Sequence, residues 1–230
     1  MVKYMSESVK GTVIMKYLKR VAALMAVLIC FSALLCACKN SSADTAQSES
    51  EKGDIDYSNV NIDEYIGGVT YSGLTVTLAS EDASKQDALW IALLENADIK
   101  SYPDEKVRYY FEQQKASYMY LVEDKQEDYE ELLALRGISE DDMMADAREM
   151  VAKDLIYRYV LRAEQIVLTD EEKTELYVRY VDKYVSTYGY SESYVRENMS
   201  DMIYESMLYD KTMEYLILKN NFVVHGEPQN

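Results

Sequence analysis

The stretch TDEEKTELYVRYVDKYVSTYG, residues 169–189, decides the fold class. Thr169 followed three residues later by Glu172 is a capping box. The threonine hydroxyl accepts from the backbone N–H three residues on, and the glutamate reaches back to the N–H of the cap. Asp170 and Glu171 add negative charge where the helix dipole is positive. Tyr177, Tyr180, Val181, Tyr184, Val185 and Tyr188 then recur at i, i+3, i+4, i+7, i+8 and i+11, which is one face of an α-helix. Gly189 supplies the left-handed residue that ends it.

The same grammar extends in both directions. Downstream, an apolar series from Val195 through Met199, Met202, Ile203 and Met207 to Ile217 predicts one last helix from about Ser193 to Leu218. Phe222-Val223-Val224 follows as a short extended piece. Upstream, Ser139 caps a helix that runs to about Gln165, with Glu140, Asp141 and Asp142 in its first turn. Ala147, Val151, Leu155 and Tyr159 share one of its faces, flanked by Met144, Met150 and Val160. A short helix spans Tyr129–Arg136 and stops at Gly137. A longer one starts at Pro103, a favourable first-turn residue, and ends near Glu123. The first covers about Ser84–Ala97, with Leu89, Trp90, Leu93 and Leu94 apolar. Proline occurs only at Pro103 and Pro228, so none interrupts a helix between them. The expectation is a mainly α body over residues 84–224, with a tail at 225–230.

Before it lies a short β segment, residues 57–83. Gly67-Gly68 is a turn signal. The second half of Tyr71–Leu78 alternates apolar and polar, with β-branched residues at three of its last four positions. One strand or a small hairpin is expected, packed on something else because two strands alone are marginal.

Earlier still, Asn40 to about Asp56 is Ser, Glu, Asp, Ala and Gln with almost no large apolar residue, and reads as a flexible tether within 38–56. Lys16, Lys19 and Arg20 precede an apolar run from Val21 to Ala37, about 17 residues, at the lower limit for a spanning helix. A basic region, a short apolar core and small residues make a signal-peptide pattern over residues 1–37. It ends Leu35-Cys36-Ala37-Cys38, which looks like a lipobox. The expectation is cleavage before Cys38, with lipid on its thiol and the protein held at the outer face of the cytoplasmic membrane. Met15 is the expected initiator, since Met1 to Ile14 are polar and mixed and serve no export role.

Composition narrows the chemistry. Cys30, Cys36 and Cys38 are the only cysteines, and two fall inside the signal, so no disulfide framework or thiolate metal site is expected. The chain carries 24 basic and 41 acidic residues, a net charge of −17. Residues 1–37 hold five bases against Glu7, leaving 19 bases and 40 acids, a net −21. Such a charge repels nucleic acid, which is not expected as a partner. His225 is the only histidine, which makes a Ser-His-Asp triad improbable and leaves no Cys-His zinc pair. No Gly-rich phosphate loop and no EF-hand spacing is present. No catalytic residue, metal or cofactor is expected.

Tyrosine and methionine stand out instead. There are 22 Tyr against 3 Phe, and 20 of the tyrosines follow Cys38. A tyrosine ring grips apolar partners while its hydroxyl stays wettable, and Met adapts to irregular shapes. Tyr177, Tyr180, Tyr184 and Tyr188, with Met199, Met202 and Met207, are candidates to line a groove for unfolded polypeptide. Taken singly, each is better explained as core between two helices. As a set, the excess of Tyr over Phe points to partial exposure.

Several runs resemble the C-terminal chaperone domain of trigger factor. They are Tyr110-Phe111-Glu112-Gln113-Gln114, Leu132-Leu133, Gly137-Ile138-Ser139-Glu140-Asp141-Asp142 and Ala147–Ile156. Glu164-Gln165-Ile166-Val167-Leu168-Thr169-Asp170-Glu171-Glu172 is similar to the family's "E-x-I-x-V-T-D-E-E" junction. Tyr188-Gly189-Tyr190-Ser191 and Asn221-Phe222-Val223-Val224 fit the positions that follow. The likeness covers about residues 84–224 and extends to the helical part of SurA-like and PrsA-like foldases. Upstream, Tyr71–Val76 looks like the "Y-K-G-[IL]-x-V" strand before the isomerase module of some relatives. The resemblance implies helical arms and an ATP-independent chaperone of unfolded or nascent exported polypeptides. It does not carry the family's ribosome-binding domain, and export removes the ribosome as a partner. Five residues separate Leu78 from Ser84, whereas an FKBP-type module needs on the order of 100. A dedicated scaffold lipoprotein with one partner and a reduced prolyl isomerase remain alternatives.

Overall fold

The computed structural model describes residues 60–125 and 128–225. The expected signal peptide, the expected lipid site Cys38, the expected tether and residues 226–230 lie outside them. The chain is mainly α: seven helices and four short strands are present among the described residues. No helix among those residues is long and apolar enough to cross a membrane. They fall into two compact units, one holding residues 113–125 and 128–137, the other 60–112 and 138–225.

Most helix starts are set by one side chain each. Helix α1, Lys85–Glu95, is capped by Ser84, whose hydroxyl accepts from Asp87 N at 3.2 Å. Helix α2, Asp104–Lys125, starts one residue after the proline expected to open it, and the Pro103 carbonyl accepts from the backbone N–H groups of Lys106 and Val107. Helix α3, Tyr129–Arg136, is capped by Asp128 and stopped by Gly137 at φ +64°. Helix α4, Glu140–Glu164, opens on a capping box in which Ser139 accepts from Asp142 N while the Asp142 carboxylate accepts from Ser139 N. Helix α5, Asp170–Tyr188, has the expected Thr169–Glu172 box and ends at Gly189, φ +72°.

The expected single last helix is two. Helix α6 spans Glu192–Asn198 and helix α7 spans Ser200–Leu218, with Met199 between them at φ −123° and ψ 9°. Asn and Ser flank the break, and both prefer side-chain bonds to nearby backbone over an uninterrupted helix. The Asn198 amide donates to Tyr194 O at 3.1 Å. The break turns Met199 into the core.

The β segment also differs from the hairpin reading. Strands β1, Ile66–Val69, and β2, Thr75–Leu78, do not pair with each other. Strand β1 runs antiparallel to β3, Ala97–Ile99, with a bulge between Ile66 and Gly68. Gly67-Gly68 therefore lies inside a strand rather than in a turn. Strand β2 runs parallel to β4, Asn221–Val224, in the register Thr75↔Asn221 to Leu78↔Val224. The reason is visible at Gly73, φ +74°, whose N–H donates to Lys219 O at 2.9 Å, so the chain turns toward the end of α7 instead of back onto β1. The region after Leu78 is thus not purely helical: β3 and β4 supply the partners for the two early strands.

In the larger unit, three apolar clusters hold the elements. The first joins Ile66 and Val76 of the strands to Leu89, Trp90 and Leu93 of α1, Ile156, Tyr157 and Val160 of α4, and Met213 and Leu216 of α7. The second is Val181, Val195, Met199, Ile203 and Met207. The third is Val107 of α2 with Ala147, Val151 and Leu155 of α4. In the smaller unit, the Lys115 ammonium lies over the Tyr129 ring and the Arg136 guanidinium over Tyr118, at 5.7 and 5.6 Å from the centroids.

Candidate binding cleft

An open cleft of about 410 Å³ lies in the larger unit. Helical periodicity brings its walls together. From α4 come Asp154, Tyr157 and Arg158; from α5 come Tyr180, Lys183, Tyr184 and Tyr188. Helix α7 adds Met202, Glu205, Ser206, Tyr209 and Asp210, and α2 adds Tyr110. Helices α4, α5 and α7 each contribute residues spaced three and four apart, so one stripe of each faces the same space.

Six of these thirteen side chains are tyrosines, and their hydroxyls are mostly engaged. Tyr110 donates to Asp154 Oδ2 at 2.6 Å, and Tyr180 donates to Asp210. Tyr209 accepts from Trp90 Nε1 at 3.0 Å and from Gln86 Nε2 at 3.2 Å. The Tyr209 ring lies between Trp90, stacked at 6.4 Å and 18°, and Tyr157, tilted at 5.5 Å. Tyr184 and Tyr188 lean together at 5.5 Å. The Lys183 ammonium rests 5.9 Å from the Tyr180 centroid. Tyr157 differs: its hydroxyl is buried and has no hydrogen-bond partner.

Burial raises the phenol pKa of Tyr157 and of Tyr184. Burial and the bond to Asp210 raise that of Tyr180. For Tyr209, burial outweighs the opposing bonds from Trp90 and Gln86. Tyr157, Tyr180, Tyr184 and Tyr209 therefore stay neutral donors and acceptors at ordinary pH.

Of the seven polypeptide-contact residues expected from sequence, Tyr180, Tyr184, Tyr188 and Met202 meet in this cleft, and Met202 is 44% exposed. Tyr177 lies outside it, stacked on Tyr204 at 5.2 Å with the Arg196 guanidinium 5.7 Å from its ring. Met199 and Met207 are a correction. They are 8% and 1% exposed and pack with Val181, Val195 and Ile203. A groove cannot be lined by side chains that already fill the core between α5 and α7. Sequence reasoning missed Tyr157 and Tyr209, which belong to none of the apolar series it picked out. It also missed Asp154, Glu205 and Asp210, which look like ordinary solvated acids in so acidic a chain. Among the described residues no group of three or more His, Cys, Asp or Glu is placed to hold a metal ion.

No family model, no curated protein and no solved structure matches the chain.

Proposed function

We propose that the chain is an ATP-independent chaperone of the trigger factor type, exported and held by lipid on Cys38 at the outer face of the cytoplasmic membrane, where it binds unfolded polypeptide. The observation that carries this reading is the cleft itself. Its tyrosine rings offer apolar faces with polar tips, Met202 adds an adaptable apolar contact, and three acids and two bases lie among them. Such a lining grips many sequences weakly rather than one tightly. The lipobox-like Leu35–Cys38 run and the acidic tether-like segment after it support the location. The likeness of residues 84–224 to the helical chaperone body supports the activity.

Aggregation of a denatured model protein, followed by light scattering with and without the soluble form beginning at Ser41, tests the activity. Suppression near equimolar ratio is expected, and its absence overturns the reading. A Met202→Glu, Tyr188→Ala double variant changes only partly exposed cleft residues. It is expected to keep its melting curve and lose most of the suppression. A pull-down yielding one stoichiometric protein would favour the dedicated scaffold instead. Incorporation of labelled fatty acid, abolished by Cys38→Ser, tests the anchor.

A further inference from the structure

We propose that the outer edge of strand β4 is a second polypeptide-binding surface, on which an extended segment with a carboxylate beside Phe222 adds as a third strand. This rests on the reading of the chain as a polypeptide binder, and adds a contact outside the cleft.

The parity of the parallel ladder carries it. Asn221 N donates to Leu74 O at 2.9 Å, and His225 N donates to Leu78 O at 3.0 Å. Along a strand, residues whose N–H and C=O face one neighbour alternate with residues whose groups face the other way. Asn221, Val223 and His225 therefore bond β2, and Phe222 and Val224 turn their N–H and C=O groups outward. Among the described residues no hydrogen bond reaches those four groups, and no element other than β2 runs alongside β4. Phe222 and Val224 are only half-buried. Nothing in Asn221-Phe222-Val223-Val224 blunts the edge, since it holds no lysine, no proline and no bulge.

Backbone and charge define the occupant. Outward N–H and C=O groups on residues two apart match an extended backbone, whereas a helix spends its own groups internally. Phe222 and Val224 lie opposite Val76 and Leu78 and share their face, and Phe222 packs against the first apolar cluster. Every second side chain of an added strand continues that apolar face. The Lys85 ammonium lies 5.3 Å from the Phe222 ring centroid and has no carboxylate partner among the described residues. A carboxylate on the added strand beside Phe222 supplies the complementary charge.

The test is the binding of dye-labelled Thr-Glu-Thr-Val-Thr-Val-Thr-amide to the full chain in neutral detergent, read by fluorescence anisotropy. Its glutamate and valines share one face of the strand. Saturable binding is expected. None is expected for a counterpart whose backbone amides are replaced by esters, which keeps the side chains and removes the N–H donors. Glutamine in place of the glutamate should weaken binding about threefold, the scale of one exposed ion pair, and Lys85→Gln should erase that difference. Val224→Pro removes one outward N–H and sets a ring on the edge, while the N–H groups that bond β2 stay in place. It should keep the melting curve and weaken binding by about tenfold or more, the scale of two lost backbone hydrogen bonds. Single-residue hydrogen exchange should find the Phe222 and Val224 amides fast in the free chain and slow with peptide bound. If Val224→Pro does not fold, the ester counterpart and the exchange rates decide. Equal binding of the ester counterpart, no preference for glutamate, or unchanged affinity in a folded Val224→Pro chain would overturn the proposal. So would slow exchange of both amides before peptide is added, whether the edge is then covered by this chain or, where protection rises with concentration, by a second copy. Light scattering reads chaperone activity separately. Peptide binding without suppression sinks the chaperone reading alone, and suppression without edge binding sinks this proposal alone.

Discussion

At the residue scale, two side chains tie the early strands to the last helix. Asn220 is 8% exposed and uses all its groups. Its Oδ1 accepts from Leu74 N at 2.8 Å, and its Nδ2 donates to Tyr71 O at 2.9 Å and Leu216 O at 2.7 Å. Asn220→Ala strands a backbone N–H and a carbonyl, and urea unfolding should show a loss of about 2 kcal/mol. Glu164 accepts from the hydroxyls of Tyr71, at 2.5 Å, and Tyr215. The bonds from Tyr215 and Tyr71 hold its carboxyl below the usual glutamate range. Its contribution is therefore present above the unfolded value and lost as pH falls through the folded one. On the other flank, the bond to Glu164 pushes Tyr71 up to about 12. That contribution is complete below the ordinary phenol value of about 10 and is lost as pH rises through the folded value. Urea midpoints measured across that alkaline window should fall, and should fall less in Glu164→Gln. The capping residues Ser84, Ser139 and Thr169 were legible from sequence because a cap acts within three residues of itself. Asn220 was not, because its partner Leu74 is 146 residues away.

At the element scale, α5 shows how local signals and long-range contacts combine. Thr169 and Glu172 close their box, and Glu172 also takes Lys211 of α7 at 2.7 Å. Lys211 in turn donates to Val167 O at 2.9 Å. Thr169→Ala removes the hydroxyl acceptor at the cap and should cost about 1 kcal/mol in chemical denaturation. Gly189→Ala should cost a similar amount, about 1 kcal/mol, for another reason: a Cβ there would meet nothing within 4 Å, so only the φ of +72° opposes it. The location of these helices followed from 3.6-residue periodicity. The break at Met199 did not, since the apolar series runs through it without a proline or glycine. Two helices broken at Met199 and one long helix are equally compatible with the same series. Packing of Met199 against Val181 and Val195 selects the broken form.

At the scale of the molecule, the ends of the larger unit's described chain meet. Strand β4 is the partner of β2, and Val76 and Leu78 are 2% and 4% exposed. Deleting residues 221–230 leaves β2 without a ladder and opens the first apolar cluster. The expected result is a broadened, less cooperative thermal transition, read by circular dichroism. Leu155→Ala, in the third cluster, should lower stability by about 3 kcal/mol through the cavity it leaves, with little broadening.

The residues 169–189, whose caps and spacing announce a helix, also show where that kind of reading stops. Caps, stops and the apolar stripe of α5 are determined within a few residues, because hydrogen bonds at helix ends and side-chain adjacency along a helix are short-range in sequence. The mainly α character follows from the same local rules repeated along the chain. The parallel pairing of β2 with β4, the inward turn of Met199 and the meeting of six tyrosines with Asp154, Glu205 and Asp210 in one cleft depend on contacts between residues far apart in the chain. A helix stripe states that a face will be covered, and only the tertiary packing of α4, α5 and α7 decided which tyrosines were covered and which were left around an open space.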